Sequence, residues 1–161
     1  MTRRLLSAVL ILVPPLLLGG CGRAADSNAA DAKPQLHQDV PPHGGTPVAL
    51  GDDYNLELVR DPAAGTLSGY VLDDEMEEFI RSSSPAVTLE LTVGGEPRQL
   101  VLAAVANPAT GETVGDTSLF QGQADWLKSA GNFTGKVRLI TIRGTPFAEV
   151  PFAFPAGAAK E

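Results

Sequence analysis

The sequence predicts an all-β domain, an immunoglobulin-like antiparallel β-sandwich of about seven strands with one or two short helices, placed after a signal peptide and a disordered linker. Three observations predict it. Apolar and polar residues alternate at period two, as in Val87, Leu89, Leu91 and Val93 against Thr88, Glu90 and Thr92, the pattern of a half-buried strand. Turn signals interrupt such segments every roughly 8 to 15 residues. The 17 glycines and 13 prolines are more than a helical bundle accommodates. No longer period marks a repeat array.

The elements follow in order. Residues 46–50 form an opening strand. Residues 54–60 and 66–72 flank Asp61-Pro62-Ala63-Ala64-Gly65 and read as a hairpin. Residues 75–81 place Met76, Phe79 and Ile80 at i, i+3 and i+4, which predicts two helical turns with one apolar face. The strand over 87–93 stops at Gly94-Gly95, a tight hairpin signal, and its partner runs from 98 to 105 before Asn107-Pro108. Residues 107–135 are the longest irregular stretch, with one helical turn over 125–129. Two last strands, 136–143 and 147–154, flank Gly144-Thr145-Pro146. The domain is thus expected over 43–155, with a disordered tail over 156–161.

The N-terminus reads differently. Arg3 and Arg4 precede an apolar run from Leu5 to Leu18 broken only by Ser7 and Pro14-Pro15, and Gly19-Gly20 lead into Cys21. This is the layout of a secretory signal peptide over 1–20. The run falls short of the ~17 to 25 residues that a spanning helix needs. Leu18-Gly19-Gly20-Cys21 resembles the lipobox of bacterial lipoproteins, in which the cysteine is acylated and becomes the new N-terminus. The resemblance implies lipidation of Cys21 and a membrane anchor in the bacterial cell envelope. Gly22, where an aspartate would signal inner-membrane retention, implies the outer membrane, facing the periplasm. Residues 22–42 shift to Ala, Asp, Ser, Asn, Gln, Lys and Pro, with Leu36 and Val40 the only large aliphatics. A composition like this buries no core, and a flexible coil of about 21 residues spans roughly 25 Å.

Charge excludes one class of partner. The net charge is −7, which rules out a basic nucleic-acid binder. Cys21 is the only cysteine, so no disulfide forms within the chain and no thiol remains for catalysis. The two histidines, His37 and His43, stand at His-x5-His spacing with Asp39 between them. Both imidazoles can reach one divalent transition metal, although two neutral ligands alone do not close a site; solvated linker histidines are the alternative. No serine stands in a G-x-S-x-G elbow, and neither phosphate-cradling nor dinucleotide motifs are present. The acids Asp52-Asp53, Asp73-Asp74-Glu75 and Glu77-Glu78 occupy turn-like positions where charge is solvated, not the dry cleft that acid–base catalysis needs. Phe120, Trp126 and Phe133 within or beside the long irregular stretch either line a ligand pocket in a binding loop or plug the end of the core.

The segments His43-Gly44-Gly45-Thr46-Pro47-Val48-Ala49-Leu50-Gly51, Tyr54-Asn55-Leu56-Glu57-Leu58-Val59 and Gly65-Thr66-Leu67-Ser68-Gly69-Tyr70-Val71-Leu72-Asp73 together resemble an "HGG" module of small bacterial envelope lipoproteins. Similar openings stand near the N-termini of periplasmic adaptor subunits of heavy-metal efflux pumps. The resemblance implies a periplasmic β-sandwich and makes association with metals a property to test. The histidine that some relatives carry after the third segment is replaced here by Asp74, Glu75 and Glu77. The function expected is therefore that of a non-enzymatic lipoprotein binding an envelope protein partner through a sheet edge or the 107–135 loop. The alternative is a metal-binding accessory protein linked to heavy-metal efflux or homeostasis.

Overall fold

Residues 40–156 are described by a computed structural model. Eight antiparallel strands run in sequence: β1 (Thr46–Leu50), β2 (Tyr54–Asp61), β3 (Thr66–Asp73), β4 (Ala86–Val93), β5 (Glu96–Val105), β6 (Leu119–Gln123), β7 (Phe133–Ile142) and β8 (Thr145–Phe154). Short 3-10 turns cover Pro108–Thr110 and Asp125–Lys128. The all-β antiparallel fold that the alternation predicts is present, with eight strands instead of about seven. They form one ladder in the order β1-β2-β3-β6-β5-β4-β7-β8. The ladder curls until β1 and β8 lie against each other, so that two walls enclose a single core, sandwich-like.

The inner face is written in the alternation. Val48 and Leu50 of β1, Leu56 and Leu58 of β2, Leu67 and Val71 of β3, and Val87, Leu89 and Leu91 of β4 are all buried and pack into one cluster. Burying each such side chain contributes about 1.5–3 kcal/mol. Small residues make room for large ones. Phe120 on β6 is fully buried, with Gly69 opposite it on β3 and Ala104 on β5. At Gly135, a Cβ would lie 2.5 Å from the Glu90 carbonyl oxygen and 2.6 Å from a Leu91 methyl, so that position closes the β4–β7 contact only as glycine.

The last hairpin changes phase halfway. On β7, Phe133 and Val137 point inward, Arg138 and Leu139 are both exposed, and Ile140 and Ile142 are buried. On β8, Phe152 and Phe154 join the core, Ala148 and Glu149 face out, and Phe147 faces in. Glu149 takes φ 56°, which gives β8 its extra outward residue. Both strands shift together, so the cross-strand register is kept.

Two expectations need correction. Residues 75–81 do not form a helix: Asp73 accepts from the Glu77 and Glu78 N–H groups, Met76 sits at φ 59°, and Ile80 donates to the Val71 carbonyl. The loop is thereby drawn back along β3. Met76 and Ile80 are buried as the pattern requires, but Phe79 is 51% exposed. The second correction is β6, which falls where the sequence predicts irregular chain; Gly122 within it breaks the apolar run. That glycine is required, because a Cβ there would meet the Val101 carbonyl oxygen at 2.6 Å. The single turn expected near 125–129 is the 3-10 turn Asp125–Lys128, and the Gly94-Gly95 hairpin is present with both residues at positive φ.

Candidate functional site

The His-Gly-Gly opening is fastened to β2 by one carboxyl group. Leu56 and Leu58 point into the core, so Glu57 between them points outward, yet it is 0% exposed because residues 41–45 fold over it. Glu57 Oε1 accepts from the His43 N–H at 3.0 Å and from the Gly45 N–H at 2.8 Å. Oε2 lies 2.8 Å from His43 Nδ1. A carboxyl group taken out of water must find partners, and Glu57 has three. The turn itself is closed by the Gly44 N–H donating to the Pro41 carbonyl at 2.9 Å, with Gly44 at φ 65°. Gly45 leaves no space for a side chain: a Cβ would stand 2.6 Å from the Leu58 carbonyl oxygen. The two glycines therefore have separate duties, one conformational and one steric.

The imidazole lies flat on Tyr70, ring centroids 3.8 Å apart and planes 13° apart, with Phe79 tilted at 5.9 Å. Facing a carboxylate, Nδ1 is the donor, and Nε2 is the ring nitrogen turned away from Glu57. Cross-strand register extends this platform sideways. Pro47 pairs with Glu57, Glu57 with Tyr70, Tyr70 with Leu119, and Leu119 with Val105. One outer rung thus crosses five strands. The sequence motif pointed to His43 but not to Glu57, since a polar residue at an outward strand position carries no mark of burial. The available signal was the paired glycines, whose N–H groups need an acceptor.

Of the residues expected to bind metal, His43 is held by Glu57 as described, and His37 and Asp39 lie outside the described residues, as do Cys21, the 1–20 segment and 157–161. Among the described residues no three His, Cys, Asp or Glu side chains gather around one point. The aromatic trio does not form an open loop. Phe120 is 0% and Phe133 4% exposed, both in the core, and Phe133 stacks on Phe154 at 4.7 Å. Trp126 is half-buried, edge-on to Phe133 at 5.9 Å, with the Arg98 guanidinium 5.8 Å over its ring. Arg60 secures this end of the core by donating to the Leu127 carbonyl at 2.9 Å and to that of Ala130. Phe120 on β6 and Phe133 on β7 belong to the core itself, and Trp126, in the connection between them, packs against its end.

On the opposite wall, a groove of about 1060 Å³ crosses the outer face of β5, β4, β7 and β8. Across it Lys136 pairs with Glu90 at 3.3 Å and with Glu149, and Arg138 pairs with Glu149 at 2.7 Å. The Lys136 ammonium, then burial and Arg138, set the Glu149 carboxyl, which lies below the usual range; Glu149 and then Glu90 hold Lys136 above its own. All are well exposed, so the pairs contribute little stability.

Glu112 organises the β5–β6 connection. It accepts from the Ser118 hydroxyl at 2.8 Å, the Ser118 N–H at 3.2 Å, the Thr117 hydroxyl at 3.1 Å and the Asn107 N–H at 3.2 Å. Partial burial pushes its carboxyl up, but these hydrogen bonds, led by the Ser118 hydroxyl, together hold it below the usual range. A lowered folded-state pKa gives stability that is present above the unfolded value of about 4.3 and is lost as pH falls through the folded one. Amide protection of Ser118 is accordingly expected to fall on acidification below about pH 4. In Glu112→Gln that acid step should vanish; hydrogen exchange followed against pH reads both, and an unchanged step in the variant would reject the assignment.

Comparison with protein-family models, with curated proteins and with solved structures finds no match to this chain.

Proposed function

We propose that this chain is a lipid-anchored protein of the bacterial envelope, attached through Cys21 to the outer membrane on its periplasmic side, whose β domain acts without catalysis by docking an envelope protein partner. The observation that carries the reading is Leu18-Gly19-Gly20-Cys21 behind Arg3-Arg4 and the apolar run. Two or three acyl chains, at ~0.8 kcal/mol per buried methylene, make such attachment effectively permanent. The clasp around Glu57 supports the non-catalytic part, since the most buried carboxyl among the described residues spends its oxygens on two N–H groups and an imidazole. Docking is better served by an outer face than by a sheet edge. The edge strands carry Pro47, Pro146 and Pro151, which have no N–H to offer an added strand.

Metabolic labelling with a palmitate analogue tests the anchor. Lipid incorporation and sedimentation with the membrane are expected for the chain, and loss of both for Cys21→Ser; label retained in the variant, or none in the parent, would overturn the reading. A second reading, a metal-binding accessory domain, is favoured by one observation. A histidine whose Nδ1 is held by a carboxylate presents Nε2 in the manner of metal ligands, and His37 and Asp39 precede it closely in sequence. Calorimetric titration with Cu(II) and Zn(II) of the chain and of His43→Ala separates the two readings.

A further inference from the structure

We propose that the outer rung of Tyr70, Leu119 and Val105, with Phe79 of the adjoining loop beside it, is a docking surface for a partner-protein segment that carries both basic and apolar side chains. The proposal rests on the docking reading above and names the face and the chemistry of the partner. Phe79 is 51% and Val105 36% exposed, with Val101 further along β5 also 51% exposed. Register places Tyr70, Leu119 and Val105 side by side on one outer face. Phe79 stands 6.2 Å from Tyr70 between ring centroids, so the apolar surface is contiguous, unlike the scattered exposed residues common to all proteins.

Phe79 is not needed to anchor its own loop. Met76 and Ile80 already bury that segment, and the Ile80 N–H to Val71 carbonyl bond and the Asp73 caps fix its backbone. An outward phenylalanine on a fixed loop is a preorganised contact.

Charge selects the occupant. The loop that carries Phe79 also presents Asp74, Glu75, Glu77 and Glu78, all exposed, and among the described residues none of these four forms an ion pair. By contrast Arg81 pairs with Asp116, Lys128 with Asp125, and Lys136 and Arg138 with Glu90 and Glu149. The negative rim is left open beside an apolar platform, whereas those four cations are each neutralised by an acid of their own. A second copy of this chain, itself at −7, is repelled by that rim, and so is an anionic bilayer surface. A segment with Lys or Arg flanking aliphatic or aromatic residues matches both the rim and the platform, the cations also gaining from the ring face of Phe79.

The test is a nuclear magnetic resonance titration of the full chain with a peptide of alternating lysine and leucine, beside the same peptide with glutamate for lysine. Saturable shifts confined to Tyr70, Phe79, Val105, Leu119 and the 74–78 loop are expected with the lysine peptide and not with the glutamate one. Phe79→Ser with Leu119→Ser should weaken binding about tenfold or more. Replacing Glu75, Glu77 and Glu78 by glutamine should weaken it severalfold and flatten its salt dependence. Both variants alter exposed or half-exposed side chains, and an unchanged spectrum of the remaining residues checks that they fold. Equal binding of the glutamate peptide, shifts centred on another face, self-association through this face in sedimentation, or binding to phosphatidylglycerol vesicles would each overturn the proposal. Failure of lipid labelling leaves this titration untouched, so the two readings fail separately.

Discussion

Truncating Phe120 to alanine is expected to lower the free energy of unfolding by about 3–5 kcal/mol, a large part of the ~5–15 kcal/mol that holds a domain together. The ring is fully buried and lies between Gly69 and Ala104 of the neighbouring strands. Neither small neighbour can swing in to fill the space. Gly69 is itself confined, since a Cβ there would meet Leu56 at 3.1 Å and Leu102 at 3.4 Å. Urea denaturation of the two proteins measures the difference. A loss below about 1 kcal/mol would mean that Phe120 is not the keystone of this core and would reopen a ligand-facing role for it.

The second large effect is expected at Glu57. Glu57→Ala should cost about 3 kcal/mol, because the His43 and Gly45 N–H groups and the His43 ring lose their acceptor at once. In Glu57→Gln the retained Oε1 still accepts both N–H groups, and the side-chain amide can donate to an Nδ1 whose proton has moved to Nε2. About half of the loss should then be recovered. Hydrogen exchange at the Gly45 amide reports the clasp directly, with protection lost in the alanine variant and partly kept in the glutamine one. Equal protection in both would show that Pro41–Gly45 is held by the turn alone.

These two positions show how unevenly the molecule is legible from its sequence. Strand alternation identified seven strands near their observed limits, because each has one wet and one dry face and the pattern records that difference. Phe120 lies in the stretch that alternation could not read, since Gly122 two residues on interrupts the signal to satisfy a steric contact with β5. Residues 75–81 carry a helical spacing, but Asp73 and the pull of the β3 backbone override it, a tertiary preference invisible to local pattern. At the candidate site the histidine and glycines stand out as a motif, whereas Glu57 is one more polar residue in an alternating strand. Its importance arises only because residues distant in sequence fold back over it. The outer rung of Tyr70, Leu119 and Val105 was unreadable for the same reason, being assembled from three strands whose neighbours are set by topology.

The two outermost strands bear on aggregation as well as on binding. A free strand edge is a template on which other chains, native or misfolded, can crystallise into cross-β stacks. Here β1 and β8 lie against each other, Ala156 donates its N–H to the Thr46 hydroxyl at 3.3 Å across that seam, and Pro47, Pro146 and Pro151 interrupt the donors along it. A protein crowded at high local density gains most from such a blunted seam, since collisions between copies are frequent and each offers a chance to nucleate a fibril. The same prolines that deny an extra strand to a partner thus deny one to the protein's own neighbours.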